Sequence, residues 1–180
     1  MDGLDGVHSY WRDLRKEQHF FAKRPMGERG VMVWAGISML GRTDIAFVRG
    51  KMNSEGYQAI LEQFLLPFLD RWPSLEHALQ QYNASVHVSA STRTWLEAKK
   101  LPILSWPAKS PDLSPIENAW SQPVRHVYRD RRQFNNVIEL KKAISEEWDK
   151  IDQTYLANLI GTMNKRLIEV ISNRGDMTHY

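Results

Sequence analysis

The seven residues Val31-Met32-Val33-Trp34-Ala35-Gly36-Ile37 run almost without a polar side chain. A strand with one wet face alternates apolar and polar residues, so an unbroken β-branched and aromatic run predicts a strand covered on both faces. Such a strand lies inside a sheet with helices above and below it, which makes the chain an α/β protein. The wider apolar stretch, Val31 to Leu40, has about half the ~20 residues that a membrane-crossing helix needs, and Gly36 and Ser38 interrupt it. Met1-Asp2-Gly3-Leu4-Asp5-Gly6 has neither the basic nor the apolar part of a secretory signal, so an intracellular location is expected.

The rest of the pattern agrees. Thr43 to Val48, after the Leu40-Gly41-Arg42 turn, reads as a hairpin partner. Asn53-Ser54 offers an N-cap to a helix whose inner stripe is Tyr57, Ile60, Leu61, Phe64, Leu65 and Phe68. Trp72-Pro73-Ser74 breaks the chain. Ala78 to Tyr82 is a short strand weakened by Gln80-Gln81, Ser89 to Lys100 a helix, and Leu101 to Trp106 another short strand. Ser114 and Pro115 open a further helix, followed by helices over 136–149 and 153–173. Residues 1–30, with Gly3, Gly6, Gly27 and Gly30 among charges and aromatics, read as a loop-rich lead-in. The 180 residues, 42% hydrophobic and 25% charged, suit one globular domain ending in a helical extension. Cysteine is absent, which removes a disulfide framework, a cysteine zinc site and a thiol nucleophile together. The six histidines show no zinc-protease spacing.

The most specific segment is Trp106-Pro107-Ala108-Lys109-Ser110-Pro111-Asp112-Leu113-Ser114-Pro115-Ile116-Glu117-Asn118-Ala119-Trp120. It resembles the last catalytic motif of the mariner superfamily of DNA transposases, especially the Tc branch. Tyr10-Trp11-Arg12-Asp13, Val31 to Trp34, Lys51-Met52-Asn53-Ser54 and Gln80 to Ser89 match the same family in order, so the resemblance covers nearly the whole chain. It implies an RNase H-like mixed sheet flanked by helices. It also implies a DDE-type endonuclease in which two Asp and one Glu hold two Mg²⁺ (or Mn²⁺) ions for phosphodiester cleavage and strand transfer.

Glu117 matches the third acid. From spacing alone, Ser114-Pro115-Ile116-Glu117 reads equally as a capping box in which the Glu carboxylate reaches back to the Ser114 N–H. At the second position the family pattern is Gln-Gln-Asp-Asn-Ala, and this chain has Gln80-Gln81-Tyr82-Asn83-Ala84. The 34 residues between Tyr82 and Glu117 equal the family's spacing, so Tyr82 stands where the second acid belongs. A phenol is neutral at pH 7 and bulkier than a carboxylate, and it does not replace an oxyanion ligand. The resemblance puts the first acid on a strand upstream of Asp2; Asp2, Asp5 and Asp13 match the loop after it. Asn83 and His87 fall beside the site in the family, although a lone histidine after a strand is also ordinary loop chemistry.

The net charge of +3 and pI near 9.2 permit a nucleic-acid partner without demanding one. Lys109, Arg125, Arg129 and Arg132 are candidates for non-specific phosphate contacts; Lys99-Lys100 and Lys141-Lys142 read as solvated faces. Pro123, nine positions after Ser114, is expected to kink or stop its helix near Gln122. The expectation is therefore a truncated transposase catalytic domain in the nucleus, inactive as a nuclease and without a productively bound cation. The alternatives are a domesticated DNA- or protein-binding module and an enzyme completed by another chain. Without the central first strand, two sheet edges stay open, which predicts either closure by residues 1–30 or self-association.

Overall fold

The structure is a computed structural model and describes residues 30–129 and 132–180. The expectations for residues 1–29, including the lead-in and Asp2, Asp5 and Asp13, lie outside the described residues. Residues 31–48 form the expected hairpin. Strand β1 (Met32–Trp34) pairs antiparallel with β4 (Ala46–Val48), and β2 (Ile37–Ser38) pairs antiparallel with β3 (Gly41–Arg42). Two residues, Ala35 and Gly36, separate β1 from β2, whereas three, Thr43 to Ile45, separate β3 from β4. That extra residue is a β-bulge and splits the hairpin into two ladders. Gly41, at φ 135°, takes a turn conformation that a side chain disfavours.

Along the hairpin the side chains alternate. Val31, Val33, Ala35 and Ile37 pack with the later helices, while Trp34 packs under the first helix. Both faces are thus covered from Val33 onward. Met32 is 49% exposed, and among the described residues β1 has β4 as its one strand partner.

The first helix is α1 (Ser54–Ile60), a π-helical turn (Leu61–Leu65) and α2 (Leu66–Leu69) in succession. Asn53 caps it by accepting the Gly56 N–H at 2.8 Å. The π-turn falls just before Pro67, whose ring does not fit against the carbonyl four residues back. Of the predicted inner stripe, Tyr57, Leu61, Leu65 and Phe68 are buried, and Ile60 and Phe64 are half-buried. Tyr57, Leu61 and Leu65 share a core cluster with Leu96 of α4 (Ala90–Ala98), which follows the short α3 (Ser85–Val88).

The two short strands expected at Ala78 to Tyr82 and Leu101 to Trp106 shrink to one parallel bridge, Leu79 with Ile103. Glutamines at 80 and 81 supply little of the packing that extends a ladder. Beyond a 3₁₀ turn (Pro111–Leu113), α5 (Pro115–Val127), α6 (Val137–Asp149), α7 (Gln153–Gly161) and α8 (Met163–Ser172) complete the chain. Two expectations are corrected here. Helix α5 runs through Pro123, which is buried against its neighbours, so packing offsets the ~3 kcal/mol that an interior proline costs. The helix expected over 153–173 is broken between α7 and α8, next to the poor helix former Gly161. No described helix is long and apolar enough to cross a membrane.

Candidate active site

Tyr82 and Glu117, separated by 34 residues in sequence, meet in the structure. The Leu79–Ile103 bridge carries the chain to Tyr82, and the Tyr82 hydroxyl donates to Glu117 Oε1 at 2.8 Å. Burial, reinforced by the Glu117 carboxylate and opposed by Ser114, pushes the Tyr82 phenol up to about 12, so it stays protonated and neutral at pH 7.

The capping box is not formed. The Ser114 N–H donates to the Pro111 carbonyl at 3.0 Å instead, and the Ser114 hydroxyl makes no cap bond. The 3₁₀ turn before α5 already supplies an acceptor for that N–H, which leaves the Glu117 carboxylate to the phenol. Glu117 lies exposed in the first turn of α5, where the helix dipole favours a negative charge.

Neighbouring groups hold this pair from both sides. The Asn83 amide donates to the Trp106 carbonyl at 2.9 Å and so ties the two motif segments together. His87 Nδ1 lies 2.8 Å from the Tyr82 carbonyl; a carbonyl only accepts, so Nδ1 carries the proton. The His87 ring also lies against Tyr57 at 4.3 Å. Burial lowers the His87 pKa below the ordinary histidine value, against the opposing pull of the Tyr82 carbonyl. The unfolded chain therefore binds more protons near and below pH 6.5, and stability present above that pH falls as pH drops through the histidine range. The urea midpoint is expected to decrease between pH 7.5 and pH 5.5, and His87→Gln to flatten that decrease; an unchanged slope in the variant would refute the assignment.

The motif loop is anchored by residues that the sequence did not single out. Asp112 accepts the Thr178 N–H at 2.9 Å, and the bonds from Thr178 hold its carboxyl below the usual carboxylate range. Arg166, fully buried, donates to the Asp112 carbonyl and, at 2.9 Å, to Asn118 Oδ1 beside Glu117. It also stacks over the Tyr180 ring, 4.4 Å from its centroid. Asp112 stands in the quoted motif, but its partner is 66 residues away and no local pattern announces it.

The four basic candidates are not one cluster. Lys109 precedes α5, whereas Arg125, Arg129 and Arg132 lie at or beyond its far end, about 20 Å away along a thirteen-residue helix. All four are exposed, and Arg132 covers the Phe134 ring. Of the basic runs, Lys99 pairs with Glu62 at 2.8 Å, and Lys142 lies 3.8 Å from Glu146.

Among the described residues no three His, Asp or Glu side chains converge to hold an ion. One carboxylate and one neutral phenol do not match the oxygen set that a pair of Mg²⁺ ions requires.

Residues 15–141 match the family model of the DDE superfamily endonucleases. The chain is 43% identical over its full 180 residues to the Transposable element Tc3 transposase of Caenorhabditis elegans, and covers 55% of that protein. It thus spans about half the length of this curated relative. Two solved structures share its fold at 20% identity. The Mos1 transposase catalytic domain with Raltegravir and Mg superposes with a TM-score of 0.73, over 83% of this chain and 77% of that one. The Mos1 transposase paired-end complex with left transposon end gives 0.79, over 94% and 51%. The expected RNase H-like architecture is therefore the fold of this chain.

Proposed function

We propose, from the premise that this chain belongs to the DDE superfamily endonuclease family and is a catalytic domain of the Tc and mariner transposase type, that it binds DNA without cleaving it. The observation that carries this reading is the Tyr82–Glu117 hydrogen bond: a neutral phenol occupies the second acid's position and engages the carboxylate of the third. Such a site holds neither the two cations nor the attacking water that they would activate. Residues 1–180 act as one domain in this reading, and its place of work is the nucleus.

Lys109, Arg125, Arg129 and Arg132 make the phosphate contacts, read no bases, and give weak, salt-dependent affinity. The Mos1 complex with a transposon end supports DNA as the class of partner. The alternative of the same standing in the sequence is a module retained for protein binding, with no enzymatic role.

Supercoiled DNA incubated with the chain and Mg²⁺ or Mn²⁺ is expected to remain un-nicked, because the Tyr82 phenol supplies no carboxylate at the second acid's position. Cleavage above background that disappears in Glu117→Ala would overturn the reading. In the same samples, affinity for a random duplex is expected to fall steeply with salt. Replacing Arg125, Arg129 and Arg132 together by Ser should reduce the slope of log K against log salt by about 2 to 3. No measurable DNA affinity at low salt would favour the protein-binding module instead.

A further inference from the structure

The chain contains two Ser-Pro pairs, Ser110-Pro111 and Ser114-Pro115, four residues apart in the motif segment, and no Thr-Pro pair. The fold treats the two serines oppositely. Ser114 is 1% exposed, and Leu113 and Pro115 on either side are buried with it. Ser110 is half-buried between Lys109 and Pro111, which are both exposed. Its hydroxyl makes one long bond at the surface, donating to the Ala108 carbonyl at 3.3 Å.

The chain leading to Ser110 is open as well. Ser105 to Lys109 belong to no helix or strand, and Ser105, Pro107, Ala108 and Lys109 are exposed. Lys109 turns the backbone there through a left-handed conformation, at φ 56°, that an L side chain rarely adopts. An exposed loop without ladder or helix bonds enters the cleft of a modifying enzyme with little unfolding, because few native contacts have to open. Ser110 therefore presents a primary hydroxyl on such a loop, directly before an exposed proline. Ser114 has the same dipeptide without the access.

We infer that Ser110 is the phosphate acceptor for a proline-directed serine kinase, one whose active site takes proline immediately after the acceptor. In the transfer Ser110 Oγ bonds to the γ-phosphorus of ATP as the bond from that phosphorus to the β–γ bridging oxygen breaks. ADP leaves, and the hydroxyl proton passes to the kinase's base. The phosphoserine carries about −1.5 to −2 charge at pH 7, beside the single positive charge of Lys109 and two residues from Asp112. It outweighs and engages the Lys109 ammonium, so Lys109 no longer serves a DNA phosphate. The acceptor site is independent of the DNA reading above, whereas this consequence for Lys109 rests on it.

The folded 180-residue chain is incubated with ATP, Mg²⁺ and a cyclin-dependent kinase, beside a synthetic peptide of residues 104–117 as the unfolded reference. Each phosphate is located by fragmentation mass spectrometry. In the peptide both serines are open. In the folded chain Ser110 is expected to react within about tenfold of its peptide rate, and Ser114 at least about a hundredfold more slowly than in the peptide, because the start of α5 must unfold first. Ser110→Ala should abolish incorporation into the folded chain, and Ser110→Thr should restore it. The site is overturned by no incorporation into the folded chain, by incorporation that persists in Ser110→Ala, or by equal rates at Ser110 and Ser114. The wild-type comparison of chain and peptide decides this even where a variant does not fold. The phosphorylated chain should also bind a random duplex more weakly, with the slope of log K against log salt reduced by about 1. Unchanged affinity after full incorporation would refute the effect on Lys109; an unmodified chain without DNA affinity refutes the DNA reading, and the incorporation result still decides the acceptor site.

Discussion

Trp148→Ala is expected to cost about 3–5 kcal/mol of stability from its cavity alone, a large fraction of the ~5–15 kcal/mol that holds a typical domain folded. Trp148 is fully buried in α6 and stacks on Trp120 of α5 with ring centroids 4.4 Å apart. Its indole N–H donates to the Thr43 carbonyl at 2.9 Å, so one side chain joins the hairpin, α5 and α6. Truncation leaves that carbonyl unpaired as well as opening a void. The check is a denaturant titration in which the midpoint falls while the slope m is unchanged. Trp148→Phe should lose less, about 1–3 kcal/mol, because most of the volume remains and only the donor goes. A Trp148→Ala protein within 1 kcal/mol of wild type would contradict the packing described here.

The second large effect is expected at Arg166. Its guanidinium is fully buried, and its bonds go to the Asp112 carbonyl, Asn118 Oδ1 and the Thr162 hydroxyl, with the Tyr180 ring over it. Hydrogen bonds to a charged group contribute about 1.5–3 kcal/mol each, so Arg166→Leu should destabilise by about 3 kcal/mol or more. Lys is no substitute, because one ammonium does not reproduce the fork that spans Asp112 and Asn118. The effect should also be local. The Tyr82 hydroxyl bonds to Glu117, next to Asn118, so the variant is expected to loosen the Tyr82–Glu117 pair and to speed amide exchange from Thr178 to Tyr180. Loss of stability without faster exchange at the C-terminus would place the role of Arg166 elsewhere.

Near-neighbour chemistry was legible in the chain. Asn53 capping α1, the helix within Ser89 to Lys100, the stripe from Tyr57 to Phe68 and the hairpin of residues 31–48 all follow from spacing, caps and turns. The pairing of positions 82 and 117 was legible too, because a family pattern preserved the interval. The errors share a cause. The capping box, the stop at Pro123 and the single helix over 153–173 are local preferences of a few kcal/mol or less, and tertiary neighbours outweighed each of them. Pro111 offered the Ser114 N–H a nearer acceptor, and burial compensated Pro123.

Residue order alone therefore specifies the α/β class and the family, and it puts a phenol at position 82, neutral at pH 7 wherever the residue lies. It does not specify where long-range polar groups find their partners. Arg166 reads in sequence as one basic residue among 24, yet folding buries it under Tyr180 and ties it to the loop before Glu117. Asp112 reads as part of a catalytic motif and instead holds the C-terminal tail through Thr178. Periodicity reports which face of an element is buried, whereas partner identity and empty space arise only when elements distant in sequence pack together.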